Sequence, residues 1–353
     1  MPSAADDVRR AIDAAGGAIR FDQFVSITLY GDHGFYTSRR ETDTRRENGR
    51  TGRAGRRGDF LTSPEVGPLF GAVIARALDA WWHELGCPDT YVVVEVGAGP
   101  GTLARSVLAA DPQCAGALEY RTVELSAAQR ALHPSSAKPS ERLPTEPFTG
   151  VILANELLDN LPFRLFVHDG GWKEAYVAVD GDRFVEHLVQ PTVMPSSLPD
   201  SAAHGARCAV HDPAHDWVTT ARELLLAGRL VAIDYCTTTV SMSTRPWREW
   251  LRTYRGHERG THYLSAVGEQ DVTVEVAVDQ LPTPDMISSQ AEFLRRHGID
   301  ELVAEGRAEW QRAAAHPDLA AMTMRSRIRE AEALLDPEGL GGFSVLEWAL
   351  SSV

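Results

Sequence analysis

Residues 91–110 read YVVVEVGAGPGTLARSVLAA, and this stretch decides the fold class. Its first residues are apolar almost without interruption and mostly β-branched, which predicts a strand buried on both faces, as in a parallel sheet. The glycines that follow predict a tight turn, because glycine adopts backbone conformations that other residues rarely reach. A helix is predicted from about Gly101 to Ala110. Strand, turn and helix in this order indicate an α/β fold.

Further segments along the chain repeat the alternation of strand and helix. Strands are predicted at EYRTVELS (119–126), at the start of GVILANELLDNLP (150–162), which then runs into a helix or turn, and at GRLVAIDYC (228–236). A helix over 213–227 precedes the last of these strands. Strands separated by helices predict a parallel sheet with right-handed crossovers.

Residues 1–89 are predicted to form an N-terminal helical extension. Two short helices are expected within 4–30, and a longer helix follows Ser63 as its N-cap, with Pro64 at the first helical position. Residues 38–58 contain eight arginines and almost no apolar residue, so they predict a loop that cannot bury a core. We interpret this loop as a solvated insert; a lid over a site or a docking strip for an acidic partner are the alternatives.

The rest of the chain is predicted to form and complete the sheet. Residues 90–240 form the core of the fold, and a β-hairpin or meander is inserted at about 163–210, where apolar and polar residues alternate. In the C-terminal segment, 241–353, the pattern DVTVEVAV (271–278) fits a helix or a strand equally well. GGFSVLEWAL (341–350) predicts a terminal strand.

The composition limits the partners and the location of the chain. Of its 353 residues 43% are hydrophobic, which is enough for a sizeable core. The formal net charge of -14 argues against nucleic acid as a partner, because phosphate binding needs a basic face. The charged start MPSAADDVRR and the lack of apolar runs of ~20 residues predict a cytoplasmic protein without a signal peptide or a membrane helix.

No metal site is predicted. The four cysteines form no CxxC pair. His211 and His215 are four residues apart, as in a metal-binding pair, but no third ligand accompanies them.

The turn after the first strand reads Glu95-Val-Gly97-Ala-Gly99-Pro-Gly101-Thr102, and it is a candidate cofactor site. Glycines let the backbone approach a ligand closely, and the start of a helix favours negative groups. A dinucleotide fingerprint would place Gly or Ala at position 102, where this chain has Thr102. The third glycine instead comes one residue early, which resembles motif I of S-adenosylmethionine-dependent methyltransferases. A tight turn that binds no ligand is the other interpretation.

Acidic and amide side chains follow two further strands. Glu124 ends one strand, at the position where a carboxylate can accept both ribose hydroxyls of an adenosine; a solvated loop acid is the alternative. Asn155, Glu156 and Asp159 follow the next strand, at the sheet edge where open α/β folds bind ligands. Glu156 and Asp159 are three residues apart and can share a face. A helix start capped by Asn155 is the alternative.

Several segments together resemble one known family. They are GDFLTSPEVGPLFG (58–71), VEVGAGPGTL (94–103), VELS (123–126), ANELLDNLPFRLF (154–166), IDY (233–235) and RGH (255–257). Their order is similar to that in the MidA-like methyltransferases, a family that includes the mitochondrial complex I assembly arginine methyltransferase. LYGDHGFYT (29–37) and GGFSVLEW (341–348) also resemble family segments, so the resemblance covers nearly the whole chain.

The resemblance implies a class I methyltransferase fold. This is a Rossmann-like sheet of seven strands with one antiparallel strand, here with an N-terminal helical extension and an inserted β-meander. Residues 90–240 would be the methyltransferase core, and residues 241–353 would complete the sheet and an acceptor pocket. Two departures concern that pocket: the arginine-rich loop is longer than in the family, and Glu275 stands where a His-like polar residue is expected.

The resemblance also implies S-adenosyl-L-methionine as the cofactor. The glycines of the turn would cradle its methionyl end, Glu124 would hold the ribose, and Asn155 would lie beside the adenosyl part. The residues implied to bind it are Asp59, Phe60, Thr62, Ser63, Pro64, Glu95, Gly97, Ala98, Gly99, Gly101, Thr102, Glu124, Leu125 and Asn155.

We therefore expect methyl transfer to a nitrogen, with an arginine of a protein substrate as the expected acceptor. A guanidinium, with a pKa above ~12, is a poor nucleophile, and a pair of carboxylates can bind its fork and fix its plane. Glu156 and Asp159 are the predicted catalytic pair. The alternatives are methylation of a small molecule or of another protein atom, a non-catalytic assembly factor that binds the cofactor, and an NAD-dependent oxidoreductase, which Thr102 disfavours.

Overall fold

The computed structural model describes residues 2–37, 62–255, 258–313 and 319–351, so the arginine-rich loop lies outside the described residues. Within them the strands are β1 Ala18–Arg20, β2 Tyr91–Val96, β3 Leu118–Val123, β4 Lys138–Ser140, β5 Phe148–Asn155, β6 Arg164–His168, β7 Trp172–Asp180, β8 Arg183–Val189, β9 Arg207–Val210, β10 Leu225–Asp234, β11 Cys236–Thr237, β12 Leu251–Arg255, β13 Glu258–Arg259, β14 Asp271–Val274, β15 Val276–Ala277, β16 Met286–Ser289 and β17 Ser344–Leu350. The helices are α1 Ala4–Ala14, α2 Phe21–Tyr30, α3 Ser63–Val66, α4 Pro68–Glu84, α5 Thr102–Ala109, α6 Ala127–Arg130, α7 Asp212–Glu223, α8 Thr239–Thr244, α9 Trp247–Trp250, α10 Gln290–Arg296, α11 Ile299–Ala313 and α12 Leu319–Leu335. A bilayer-spanning helix is not found among the described residues, since none combines the necessary length and hydrophobicity.

The chain folds into two compact units, each assembled from separate stretches of sequence. The sheet unit comprises Arg50–Glu156, Ala221–Ile233 and Pro284–Val353. The meander unit comprises Met1–Gly49, Leu157–Thr220 and Asp234–Thr283. These units group residues by contact, whereas the division at 89 and 240 follows the order of the sequence and stays a prediction.

The sheet unit contains the seven-stranded sheet, in the order β16-β17-β10-β5-β2-β3-β4. The pairs from β10 to β4 are parallel, and β16 and β17 pair antiparallel at the opposite edge. All six residues of β2 are buried, because the strand lies inside the sheet between β5 and β3. The predicted α/β fold with a mixed seven-stranded sheet is confirmed.

The register of the central strands decides which residues share the end of the sheet. Val96, the last residue of β2, lies opposite Val123 of β3 and Ala154 of β5. The residues that follow these positions therefore emerge from the sheet at the same level. Carboxyl ends of parallel strands form the ligand crevice in open α/β sheets.

The meander unit contains a second sheet, in which β1, β7, β6 and β9 follow one another and β8 pairs with β7. The strands β6 to β9 form the meander that the alternating pattern predicted at 163–210. The aromatic rings of Phe21, Phe24, Phe163 and Trp250 are fully buried in its hydrophobic core. The ambiguous segment 271–278 forms two short strands, β14 and β15.

The helix predicted to start at Ser63 begins differently. The N-cap is Thr62, and the Ser63 hydroxyl does not cap the helix. The helix also breaks at Gly67, where α3 ends and α4 begins. Pro68 ends α3 at this point, because the residue before a proline is disfavoured in the helical conformation. The carboxylate of Glu330 lies in the break: it accepts the Leu69 N–H at 2.9 Å, and a Cβ at Gly67 would lie 2.2 Å from its Cδ. A distant acid therefore caps α4.

The helix predicted over 213–227 ends early, at Glu223. From Leu225 onward the chain belongs to β10, and Leu225 lies opposite Phe148 of β5. Pairing with the parallel sheet overrides the helical pattern of this segment, because the backbone N–H and C=O groups of a buried strand need partners in the sheet.

Gly150 lies where the central strands β2 and β5 approach each other closely, so a substitution there tests this packing. It lies opposite Val92 with a φ of 156°, and a Cβ there would lie 1.8 Å from the Val92 carbonyl oxygen. Gly150→Ala should lower the free energy of unfolding by about 3 kcal/mol, from backbone strain and overpacking. Gly116→Ala is the matched control, because a Cβ there meets nothing within 4 Å. Equal urea midpoints for the two variants would contradict this account of the sheet.

Candidate functional site

The glycine turn, residues 97–101, connects β2 to α5. Gly97, Gly99 and Gly101 have φ values of 71°, 51° and 73°, in the left-handed region where residues with a Cβ are strained. The N–H groups of Gly97 and Ala98 both donate to the Val123 carbonyl oxygen, at 2.9 and 3.1 Å. The end of β3 therefore holds the beginning of the turn.

Glu124 holds the middle of the same turn. Its Oε2 accepts the Gly99 N–H at 3.0 Å, and its Oε1 accepts the Ser126 N–H at 2.8 Å. Burial raises the pKa of the Glu124 carboxyl, and the two N–H groups oppose this rise because they favour the charged form. The predicted ribose-binding acid is thus fixed directly beside the glycine turn.

Glu95 lies on β2 with its side chain buried against α5. Its Oε2 accepts the Tyr120 hydroxyl at 2.8 Å, and its carboxylate also accepts the Ala104 N–H in the first turn of α5. The N-cap of this helix is Gly101, which has no side chain, so Glu95 supplies the missing acceptor. Burial raises the pKa of Glu95 to about 7. Its carboxylate therefore supports the helix start beneath the turn.

The predicted N-terminal contacts are only partly described. Asp59 and Phe60 lie outside the described residues. Ser63 is buried, and its hydroxyl donates to Gln290 Oε1 at 2.9 Å, while Thr62 and Pro64 are half-buried.

Glu65, in the N-terminal segment, forms a hydrogen bond with the helix that follows the glycine turn. The hydroxyl of Thr102, the first residue of α5, donates to Glu65 Oε1 at 2.6 Å. Sequence reasoning did not select Glu65, because an acid in the first turn of a helix is accounted for by the helix itself.

Two buried acceptor atoms beside the turn fit a ligand that carries N–H or O–H groups. Within the described residues, Gln129 Oε1 and Asn155 Oδ1 are buried without a hydrogen-bond partner. Gln129 Oε1 lies 3.4 Å from the position that a Cβ on Gly99 would take. Buried polar atoms are nearly always satisfied, so these acceptors favour a bound donor such as an amino group or a ribose hydroxyl. S-adenosylmethionine has both. Gln129 was not predicted.

Asn155 ends β5 at the level of the glycine turn, and Glu156 follows it directly. Glu156 has a φ of 51°, which is strained for a residue with a side chain, and its N–H donates to the Ile233 carbonyl oxygen at 2.8 Å. The Asn155 amide donates to Glu156 Oε1 at 3.1 Å. Leu125, also predicted to bind the cofactor, is 51% exposed. The sheet unit therefore brings Glu124, Asn155 and Glu156 to one edge of the sheet.

Asp159, the second predicted catalytic acid, belongs to the meander unit, because the division between the units falls after Glu156. It is buried, and Asp234 Oδ2 accepts its N–H and that of Leu158, at 3.3 and 2.8 Å. Burial raises the pKa of Asp234 to about 7. Through the two hydrogen bonds that it accepts, Asp234 fixes the short 3-10 turn on which Asp159 lies.

Aromatic hydroxyls of the LYGDHGFYT segment surround the residue after Asp159. The Tyr30 hydroxyl donates to the Asn160 carbonyl oxygen, and Tyr36 lies within hydrogen-bond distance of Asn160 Oδ1 and Asp271 Oδ2. Burial raises the pKa of Tyr36 well above its ordinary value. This segment thus supports the same 3-10 turn within the meander unit.

The two histidines considered as a metal pair have different surroundings. Burial lowers the pKa of His211 to about 4, and the His215 ring bonds the Gln280 carbonyl. Among the residues that the structure describes, no group of three His, Cys, Asp or Glu side chains is placed to hold a metal. Glu275, noted above as a departure, forms ion pairs at 2.7 Å with Arg245 and Arg252.

The sheet order, the glycine turn and the acid after the next strand define the class I fold of S-adenosylmethionine-dependent methyltransferases. A family model described as "Putative S-adenosyl-L-methionine-dependent methyltransferase" matches residues 73–294, and the chain belongs to this family. S-adenosylmethionine is the cofactor of that family.

A solved structure and several curated proteins are similar to this chain. A Burkholderia thailandensis protein bound to S-adenosylhomocysteine is 27% identical, with a TM-score of 0.78, over 98% of this chain and 92% of that one. The Danio rerio protein arginine methyltransferase NDUFAF7, mitochondrial, is 26% identical over 83% of this chain and 77% of its own. The Drosophila melanogaster homolog is 32% identical over 35% of this chain. The matches span only 36% of the Drosophila relative and 41% of the human one.

Glu124 should be required for cofactor affinity. Glu124→Gln should weaken the binding of S-adenosylhomocysteine about 10- to 100-fold, because the amide loses the charge and opposes the Ser126 N–H with a donor. Isothermal titration calorimetry measures the dissociation constant. The control is Glu119→Gln, on the strand that Glu124 follows, whose carboxylate is bound by Lys138 at 2.7 Å. Equal affinities for the two variants would exclude Glu124 from the site.

Glu95 should make stability depend on pH. Its pKa of about 7 in the folded chain exceeds the ordinary 4.5, so the folded state holds a proton that the unfolded state has lost. This contribution is complete below pH 4.5 and falls by about 3 kcal/mol as the pH rises through 7. Glu95→Gln should therefore show a smaller drop in urea-unfolding free energy from pH 5 to pH 8 than the parent. If the unfolding free energy of Glu95→Gln dropped as much as that of the parent, Glu95 would be ionised over this whole pH range. Glu146→Gln, at an exposed site, is the control.

Proposed function

We propose that the chain transfers a methyl group from S-adenosylmethionine to a guanidinium nitrogen of an arginine in a protein substrate. Family membership supports the donor, and the relatives named protein arginine methyltransferases support the acceptor. The geometry adds further support: Glu156 is an acid in a strained backbone conformation at the sheet edge where the glycine turn lies.

The proposal depends on the backbone conformation and the hydrogen bonds of Glu156. Its φ of 51° is held by the hydrogen bond from its N–H to Ile233 of β10, and its carboxylate accepts the Asn155 amide. Non-glycine residues persist in this conformation only where their surroundings determine it, and such positions concentrate at functional sites. A carboxylate here complements the charge and the planar fork of a guanidinium.

The roles of the chain's own residues follow from this placement. When bound, S-adenosylmethionine supplies a methyl group that its sulfonium already activates. Glu156 accepts N–H groups of the guanidinium, fixes its plane and concentrates its positive charge on the side of the carboxylate. Alignment of the reacting atoms at about 3–3.5 Å provides much of the rate enhancement in such a reaction. Glu124 and the glycine turn orient the donor.

The role of Asp159 as the second catalytic acid stays a prediction. Its backbone is fixed within the meander unit by Asp234. The cytoplasmic location also stays a prediction. Methylation of a small molecule and cofactor binding without catalysis remain the alternative functions, and one experiment separates them from the proposal.

Glu156→Gln should retain affinity for S-adenosylhomocysteine within about threefold and lose at least about 100-fold in methyl transfer. The amide keeps the size of the side chain but not the charge that the guanidinium needs. The assay incubates the protein with methyl-labelled S-adenosylmethionine and lysate proteins, and identifies methylarginine after acid hydrolysis. Glu146→Gln, an exposed loop variant, is the control.

Each outcome of this assay has a distinct meaning. Unchanged transfer by Glu156→Gln would exclude Glu156 from catalysis. Label in the small-molecule fraction alone would favour the small-molecule alternative. Cofactor binding by the parent protein with no label in either fraction would favour the non-catalytic function.

A further inference from the structure

The imidazole of His133 joins the glycine turn to the end of β3. Its Nε2 lies 2.8 Å from the Gly99 carbonyl oxygen, and its Nδ1 lies 2.8 Å from Thr122 Oγ1. A carbonyl only accepts, so Nε2 carries the proton and Nδ1 accepts from the hydroxyl. Burial lowers the pKa of His133, and the cations Arg105 and Arg130 lower it further. The ring is therefore neutral, with one defined tautomer.

Both peptide groups of Gly99 are fixed as a result. Its N–H donates to Glu124 and its carbonyl accepts from His133. Arg105 strengthens the connection: one guanidinium nitrogen donates to the Pro100 carbonyl at 2.7 Å, and the other donates at 2.7 Å to the carbonyl of the residue before His133. The segment after β3 thus helps to hold the glycine turn.

Gly101 leaves room for the His133 ring. A Cβ at Gly101 would lie 2.9 Å from His133 Cδ2, closer than real Cβ atoms come, and 3.2 Å from its Cα, which is a tight contact. The third glycine of the turn therefore has a requirement within the protein itself, in addition to its φ of 73°.

We propose that His133 is a positioning residue for cofactor binding. It acts through the Gly99 carbonyl and keeps the glycine turn in the backbone conformation that S-adenosylmethionine meets, and Gly101 lacks a side chain in order to admit its ring. This inference depends on the glycine turn being the cofactor site, and not on the identity of the methyl acceptor.

Two substitutions at His133 separate hydrogen bonding from packing. His133→Phe keeps a ring but removes both hydrogen bonds, and it should weaken S-adenosylhomocysteine binding about tenfold. His133→Gln keeps an N–H that can reach the Gly99 carbonyl, and its affinity should stay within about threefold of the parent. Calorimetry on the full chain measures both constants, with His83→Phe in the same unit as the control.

Steady-state kinetics, with the lysate proteins of the labelling assay as methyl acceptor, then distinguish positioning from a general structural role. His133→Phe should raise the KM for S-adenosylmethionine and leave kcat within about twofold, and the melting temperature of each variant is measured in parallel. Parent-like affinity in His133→Phe, or equal losses of affinity in the Phe and Gln variants, would overturn the proposal. If both His133→Phe and Glu124→Gln bind S-adenosylhomocysteine as the parent does, the cofactor site is not at the glycine turn. If Glu124→Gln loses affinity and His133→Phe does not, the site stands and only the role of His133 is wrong.

A double-mutant cycle tests the role of Gly101. Gly101→Ala should weaken S-adenosylhomocysteine binding at least about threefold more in the parent than in His133→Ala, because the smaller side chain removes the contact with the ring, whereas the strain of the left-handed backbone is the same in both. Residues in contact give such non-additive effects, and independent sites do not. Additive losses would overturn the link between Gly101 and His133.

Discussion

The functional edge of the sheet unit depends on how the end of β3 holds the glycine turn. Three left-handed glycines have no preference for one shape, so the turn needs acceptors from outside itself. The Val123 carbonyl and the Glu124 carboxylate supply these acceptors for three consecutive N–H groups, of Gly97, Ala98 and Gly99. Because the parallel register places β3 level with β2, the same contacts fix the turn and the candidate ribose acid together.

Much of the fold and part of the site could be predicted because their signals are local. The unbroken β-branched run of β2 reports burial on both faces, and glycine spacing reports a turn. Strand ends in a parallel sheet share one edge, so Glu124, Asn155 and Glu156 could be placed near the glycine turn from sequence alone. The register of β2 with β3 and β5 is the physical reason that this inference succeeds.

The rest could not be predicted, because its causes are partners distant in sequence. The capping of α4 depends on Glu330, 261 residues beyond the N–H that it accepts. The early end of α7 depends on pairing with β5, which a helical pattern cannot report. His133 holds Gly99 from 34 residues away. Hydrogen-bond partners of this kind carry no periodicity and follow only from the folded chain.

The strained backbone of Glu156 shows why an acid at this edge can be positioned accurately. A left-handed backbone conformation is unfavourable by about 1–2 kcal/mol for a residue with a side chain, so the surrounding structure must impose this conformation on Glu156. Here the Ile233 carbonyl of β10 accepts the Glu156 N–H, and Asn155 completes β5 directly before it. The carboxylate is therefore positioned by two adjacent strands of the sheet, whereas a loop residue would have kept the freedom to relax. Glu124 directly follows β3 in a similar way, and its N–H donates to the Ser140 carbonyl oxygen of the neighbouring strand β4 at 3.0 Å, so both acids take their positions from the sheet.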